Sequence, residues 1–335
     1  MSIAFTGGGT GGHLTIIAAV KEYISKDMIY IGSIFGQDKV WFENDNSFKS
    51  KYFLNSQTVV DKKIIGRIVS LSHILKEAIR IRKVLKDENV KVLFSVGGYS
   101  AAPASIAAIT LNIPLIIHEQ NSYIGNLNRL FKPFAKRFIW AFDDKDDLRI
   151  YPVKKIFFET ARVRSKINNI LISGGSQGSV ALNKFALSIA KYLDEMGIKI
   201  YHQAGIKNLD DVKRAYKELN IDAEVFGFTK EMPQIMQKCD FAIARAGAST
   251  LWEMTATGLP ALFVPYPYAA NDHQYYNAKF LVEQNLAWLK REKELNKEII
   301  FNILKMDLTS ISKTLPTLIK PDGAKKIAKF LENFV

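Results

Sequence analysis

Apolar residues follow two alternating rhythms along the chain. Short β-branched or aromatic runs at residues 3–6, 28–31, 92–96, 115–118 and 137–140 read as buried strands. Between them, residues 14–25 and 71–86 repeat apolar positions at helical spacing. The longer helix should bury Leu71, Ile74, Leu75, Ala78, Ile81 and Leu85 on one face and carry Lys76, Arg80 and Lys83 on another. Strands alternating with helices predict an α/β fold with parallel sheet covered on both faces.

The pattern restarts in the second half. Asn169-Ile170-Leu171-Ile172-Ser173-Gly174-Gly175-Ser176-Gln177-Gly178 mirrors Ser2-Ile3-Ala4-Phe5-Thr6-Gly7-Gly8-Gly9-Thr10-Gly11-Gly12. Each is an apolar strand, a hydroxyl residue and a glycine-rich turn before a helix. Further strands are expected at 199–202, 223–226, 241–244 and 261–264, with a last helix at 324–334. The repetition predicts two Rossmann-like, doubly wound domains, residues 1–160 and 166–320. At 335 residues, 48% of them hydrophobic, the chain has material for two cores. A single cysteine, Cys239, excludes an intrachain disulfide and fits a reducing compartment. Neither a secretory signal nor a membrane span is expected, because Pro103, Asn112 and Pro114 interrupt the most apolar stretch.

A glycine loop between strand and helix turns backbone N–H groups toward the positive helix end, which suits an anion. Residues 7–12 and 174–178 both fit. Gly7, Gly9 and Gly12 also match the dinucleotide pattern G-x-G-x-x-G. That pattern wants an acid after the second strand for the ribose, and residues 29–35 contain none. A P-loop fails as well, with His13-Leu14 where lysine and a hydroxyl are needed. Farther on, Arg245-Ala246-Gly247-Ala248-Ser249-Thr250 is a small-residue turn that could cradle a diphosphate. Glu253, expected in the first helical turn, could accept two hydrogen bonds from a ribose diol or simply complement the helix dipole. The polar loop at residues 271–277 suits sugar recognition.

Charge sharpens the picture. Forty-six basic against 33 acidic residues give a net charge of +13, which points to an anionic partner. Residues 62–91 concentrate Lys62, Lys63, Arg67, Lys76, Arg80, Arg82, Lys83, Lys86 and Lys91. Beside them stand Ile64, Ile65, Ile68 and Val69, and apolar anchors ringed by cations favour an anionic membrane surface. Nucleic acid is the rival partner, but zinc spacing, RNP-like strands and basic–aromatic stripes are missing, so none is expected. Asp144-Lys145-Asp146 resembles a metal-binding Asp-x-Asp, yet the interrupting lysine favours a solvated loop.

The specific signal is a set of blocks in fixed order: Gly8-Gly9-Thr10-Gly11-Gly12-His13, Ser95-Val96-Gly97-Gly98-Tyr99-Ser100-Ala101-Ala102-Pro103, His118-Glu119-Gln120-Asn121, Gly174-Gly175-Ser176-Gln177-Gly178, Arg245 to Glu253, and Asp272-His273-Gln274. Together they resemble the MurG family of bacterial glycosyltransferases. The resemblance implies the GT-B fold, two Rossmann-like domains facing across a cleft, with the terminal helix 324–335 returning to the first domain. It implies UDP-N-acetylglucosamine (UDP-GlcNAc) as donor, and as acceptor the undecaprenyl-linked N-acetylmuramyl (MurNAc) pentapeptide of peptidoglycan synthesis. Transfer would invert the anomeric centre and give a β-1,4-linked disaccharide at the cytoplasmic face of the cell membrane, with no cofactor and no metal. A different acceptor, or a UDP-GlcNAc epimerase, are the alternatives.

By motif position, Ser176 would contact the diphosphate, and Ala248, Ser249, Thr250 and Leu251 would line the phosphates. Thr229 would lie beside the uracil and Glu253 would hold the ribose. Gln274, Thr10, Gly11, Gly12 and Asn121 would reach the donor sugar. His13 is the candidate base for the acceptor hydroxyl. Glu119 is a rival base or the group that orients His13, and His118 is a second rival. Arg164 matches the arginine of the family's Gly-Asn-Pro-Val-Arg stretch, but here Thr160-Ala161-Arg162 replaces Gly-Asn-Pro.

Overall fold

A computed structural model describes residues 1–55, 64–142, 151–175 and 177–335, the side chains of residues 64–68 excepted. The chain forms two compact units, Met1–Val153 with Asp322–Val335, and Lys154–Pro321. In unit 1 the order is β1 (Ser2–Thr6), α1 (Gly11–Lys21), β2 (Asp27–Ser33), α2 (Asp38–Phe42), β3 (Ser50–Leu54) and α3 (Ile64–Asp87). Then follow β4 (Val90–Ser95), α4 (Ala102–Thr110), β5 (Leu115–Glu119), α5 (Asn126–Phe131) and β6 (Arg137–Trp140). Unit 2 begins with α6 (Lys155–Glu159), β7 (Asn169–Ser173), α7 (Val180–Glu195), β8 (Lys199–Gln203), α8 (Leu209–Glu218) and β9 (Ala223–Phe226). It continues with α9 (Met232–Lys238), β10 (Phe241–Ala244), α10 (Ala248–Thr257), β11 (Ala261–Phe263), α11 (His273–Val282) and β12 (Trp288–Leu289). After α12 (Lys297–Leu304) and α13 (Thr309–Thr314), the chain ends in α14 (Gly323–Glu332), which packs on α1.

Both sheets are parallel, ordered β3-β2-β1-β4-β5-β6 and β12-β11-β10-β7-β8-β9. Numbered within its own unit, the second sheet repeats the first. The strand order reverses between β1 and β4 in one sheet and between β7 and β10 in the other. Those switch points open a crevice at the carboxyl ends of the strands, where such sheets bind ligands. The cores are the apolar strand residues sealed by helices: Ala4, Ile29, Ile31, Leu93 and Ile117 in unit 1, and Ile170, Ile172, Ile200, Phe241 and Ile243 in unit 2.

One expected core face is corrected. On α3, Ile74, Ala78, Ile81 and Leu85 are buried, but Leu71 and Leu75 are about half exposed and Ile79 is 70% exposed. The apolar arc is wider than the neighbouring α4 can cover. The side chains of Ile64, Ile65, Arg67 and Ile68, and all of Lys62, Lys63 and the Asp143–Asp147 run, lie outside the described residues.

Candidate active site

In unit 1 the glycine-rich loop after β1 is closed by the protein itself. A Cβ added at Gly7, Gly8 or Gly9 would come within 3 Å of the Gly97 carbonyl, the Asp38 carboxylate or the Tyr99 ring, respectively. Gly36 and Gly98 abut Gly9 and Gly8 in the same way. The loops after β1, β2 and β4 therefore interlock backbone to backbone, which only glycine permits. Asp38, wholly buried, accepts from the Gly9 N–H (2.7 Å), the Tyr30 hydroxyl (3.0 Å) and the Ser33 N–H (2.9 Å). An N–H that could serve a phosphate already serves a carboxylate.

Beyond that interlock, α1 begins earlier than expected, with Gly11 and Gly12 forming its first turn and Thr10 at the cap. Thr10 is exposed and His13 half-buried, their Oγ1 and Nδ1 atoms 2.9 Å apart. At the end of β5, Glu119 is buried and its carboxylate is engaged throughout. One oxygen accepts from the Asn121 N–H, the other from the Gly125 N–H and the Asn128 amide, each at 2.9 Å. Through these bonds Glu119 organises the loop that carries Asn121. Trp140 fixes the same loop through its indole N–H on the Asn121 carbonyl. His118 is fully buried against the rings of Phe94 and Tyr151, where no acceptor hydroxyl could reach it.

Unit 2 treats its glycines differently. Gly174 and Gly178 are closed against neighbouring backbone, but Gly175 (φ +79°) and Gly247 have nothing within 4 Å of an added Cβ. These open positions lie after β7 and β10, on either side of the switch point. Ser176, between them in the motif, is outside the described residues. The first turn of α10 has no side-chain cap and no acid; Ala248 and Leu251 are buried, Ser249 and Thr250 half-buried. Glu253 falls in the second turn, a correction that removes the helix-dipole explanation, since that field fades within one turn. Desolvation pushes its carboxyl up to about 8, with the Lys154 cation opposing. Gln274 opens α11 and accepts from the Tyr266 N–H at 2.9 Å. Thr229, half-buried after β9, accepts from the Glu231 N–H at 3.0 Å.

Arg164 is placed otherwise than expected. It is 1% exposed, and its guanidinium donates to the carbonyls of Cys239, Arg162, Thr257 and Met236 at 2.5–2.8 Å. Arg162, from the departing triplet, donates to the Gln237, Lys238 and Cys239 carbonyls and to Asp240. The two arginines thus collect the carbonyls at the end of α9, where a helix leaves acceptors without partners. In this structure Arg164 is an internal strut of unit 2.

Two functional candidates escaped the sequence reading. Arg245 at the end of β10 donates to the Val264 and Pro265 carbonyls, to Ser179 and to Glu292, tying the β10 and β11 ends to the cap of α7. Arg291 pairs with Asp272 and stacks on Tyr275, bracing a loop in which Asn271 and Asp272 are both left-handed. A lone charge inside a small-residue turn was the available signal for Arg245.

Two parallel sheets of identical order, one with open glycines beside a carboxylate-bearing helix, form the architecture of the GT-B class. Residues 3–139 match the N-terminal domain, and residues 169–331 the C-terminal domain, of glycosyltransferase family 28. A protein of Sulfurovum sp. is 50% identical over 335 residues, covering 100% of this chain and 99% of its own, and one of Wolinella succinogenes is 48% identical with 99% of each covered. Both are named UDP-N-acetylglucosamine--N-acetylmuramyl-(pentapeptide) pyrophosphoryl-undecaprenol N-acetylglucosamine transferase. The crystal structure of Acinetobacter baumannii MurG superposes with a TM-score of 0.77 at 26% identity, covering 99% of each chain. A UDP-GlcNAc 2-epimerase from Neisseria meningitidis reaches 0.59 at 14% identity over 100% of this chain and 99% of its own, a likeness of fold alone. The chain belongs to the MurG family.

Proposed function

We propose that this protein transfers N-acetylglucosamine from UDP-GlcNAc to an undecaprenyl-linked MurNAc-pentapeptide, with inversion, to give the β-1,4-linked disaccharide. Identity near 50% along the whole chain supports the reaction. The contrast between the glycine loops supports the placement of the donor, since unit 1 closes its loop with Asp38 while unit 2 leaves Gly175 and Gly247 open. The diphosphate lies against the N-termini of α7 and α10, with Ser176, Ala248, Ser249, Thr250 and Leu251 around it. Glu253 takes the ribose diol, Thr229 flanks the uracil, and Gln274, Thr10, Gly11, Gly12 and Asn121 serve the sugar. Helix-end N–H groups meet the charge that develops on departing UDP.

His13 removes the acceptor proton. With Nδ1–H donating to Thr10 Oγ1, Nε2 is the nitrogen that takes the proton. Labelled UDP-GlcNAc and lipid-linked acceptor should yield the lipid-linked disaccharide. Turnover of UDP-GlcNAc without acceptor, releasing an epimerised sugar, would instead select the epimerase. His13→Gln should lose roughly 10²–10⁴-fold in kcat; near-normal turnover would remove the base assignment.

The lipid-linked acceptor is met at an anionic membrane surface. No described helix is long and apolar enough to cross a membrane. On α3, however, Leu71, Leu75 and Ile79 form an exposed stripe one turn apart, next to exposed Lys76, Arg80 and Lys83. Apolar side chains that enter the headgroup boundary, with cations at about 1 kcal/mol each, make a peripheral anchor.

A further inference from the structure

Asp38 is a buried carboxylate that no lysine or arginine approaches within ion-pair distance among the described residues. Its acceptor capacity is met by two backbone N–H groups and one phenol. Burying such a group is costly unless it is fully hydrogen-bonded, and the chain clears room for it: a Cβ at Gly8 or Gly32 would collide with it. The loop it grips leads straight to the proposed base. Gly9, held by its N–H, precedes Thr10; the Thr10 carbonyl accepts from the His13 N–H at 3.2 Å, and its hydroxyl meets the His13 ring.

We propose that Asp38 is a positioning residue for the transfer step, acting through Gly9 on Thr10 and His13. This rests on the assignment of His13 as base. Asp38 also excludes phosphate from the loop of unit 1, so this Rossmann-like crevice presents an imidazole where others present an anion site. Tyr30 is the second brace, since its hydroxyl lies 3.0 Å from both Asp38 and the Gly7 carbonyl.

The test uses the full-length enzyme with UDP-GlcNAc and lipid-linked acceptor. In Asp38→Asn the amide NH2 cannot accept, so one loop contact is lost. A misplacement near 1 Å lowers turnover by roughly 10²-fold. We expect that loss in kcat, with the Kd for UDP alone within about 2-fold because the nucleotide is held by unit 2. Asp38→Asn added to His13→Gln should be no slower than His13→Gln alone, since one residue acts through the other. Unchanged kcat in a folded Asp38→Asn enzyme, or losses that multiply in the double variant, would overturn the inference. If Asp38→Asn does not fold, Tyr30→Phe decides: a kcat loss at constant Kd for UDP supports it, and wild-type kcat overturns it. Near-normal turnover of His13→Gln would remove the base assignment, leaving Asp38 to be judged by its own kcat.

Discussion

Arg164 gives the sharpest separation between a ligand-binding residue and a structural one. Replacing it by methionine keeps the length and apolar stem but removes the guanidinium. Four bonds to carbonyls disappear, from a residue only 1% exposed. At about 1.5–3 kcal/mol for a hydrogen bond to a charged group, the ceiling is about 6–12 kcal/mol. The guanidinium's own desolvation offsets part of this; it brings the pKa down to about 10, with Arg162 adding repulsion, so the group is still charged at neutral pH. A net loss of about 3–5 kcal/mol is the expectation. For a unit of this size that lowers Tm by roughly 6–20 °C. Arg164→Lys should recover less than half, because an ammonium cannot span carbonyls set for a planar fork. Calorimetry that resolves the unit 2 transition measures the shift, and donor KM measured well below the new Tm should stay within about 2-fold. A Tm within about 2 °C of wild type together with a tenfold rise in donor KM would refute the strut.

The proposed contact of Glu253 with the ribose would tie donor affinity to pH. A carboxyl held at about 8 is largely protonated at neutral pH, whereas a ribose diol donates to the ionised form, so donor KM should fall as pH rises from 6 to 8. The same raised pKa gives stability that is present below about 4.5 and lost as pH climbs through 8. Glu253→Gln should therefore weaken donor binding yet raise the unit 2 Tm at pH 8. In unit 2, burial lowers His202 to about 4, so its neutral form contributes stability above about 6.5 that is lost as pH falls toward 4. In unit 1, hydrogen bonding led by Ser50 holds Glu88 at about 2, so that contribution is lost only between about 4.5 and 2. Because Glu253 stabilises unit 2 over the same fall in pH, acid titration of Glu253→Gln followed by hydrogen exchange should loosen unit 2 first, and adding His202→Gln should remove the pH 4–6.5 limb. Leu75→Glu with Ile79→Glu should cut binding to anionic vesicles at least tenfold while sparing turnover of a water-soluble acceptor, and unchanged binding would rule out the α3 stripe as the anchor.

The central strands were legible because they are buried on both faces and read as unbroken apolar runs. Of the four edge strands, β6 and β9 were legible too, but β3 and β12 were not. Only Leu54 of β3 is buried, and β12 is two residues long, so neither writes a hydrophobic signature. The glycine motifs were visible, but their meaning was not: whether a glycine faces a ligand or a neighbouring loop depends on residues such as Asp38, Val96 and Tyr99, brought there by tertiary structure. Asp38 was not legible because it lies past residues 29–35, where the dinucleotide pattern would put its acid. Glu119 and Arg164 were legible as motif members, while their saturated hydrogen bonding was not. Hydrogen-bond saturation is a property of the folded neighbourhood and has no spacing rule.

The last helix, α14, completes the first unit rather than the second. Its buried Ile327 and Leu331 pack with α1, and Glu332 accepts from both the N–H and the hydroxyl of Ser25. On the ribosome, the unit synthesised first must wait for residues 323–332 before its core is sealed. A chain stopped short near residue 321 would therefore betray its defect at the opposite end of the sequence. The lost helix would bare α1, and the damage would surface in the unit that carries His13 while the second unit stayed whole.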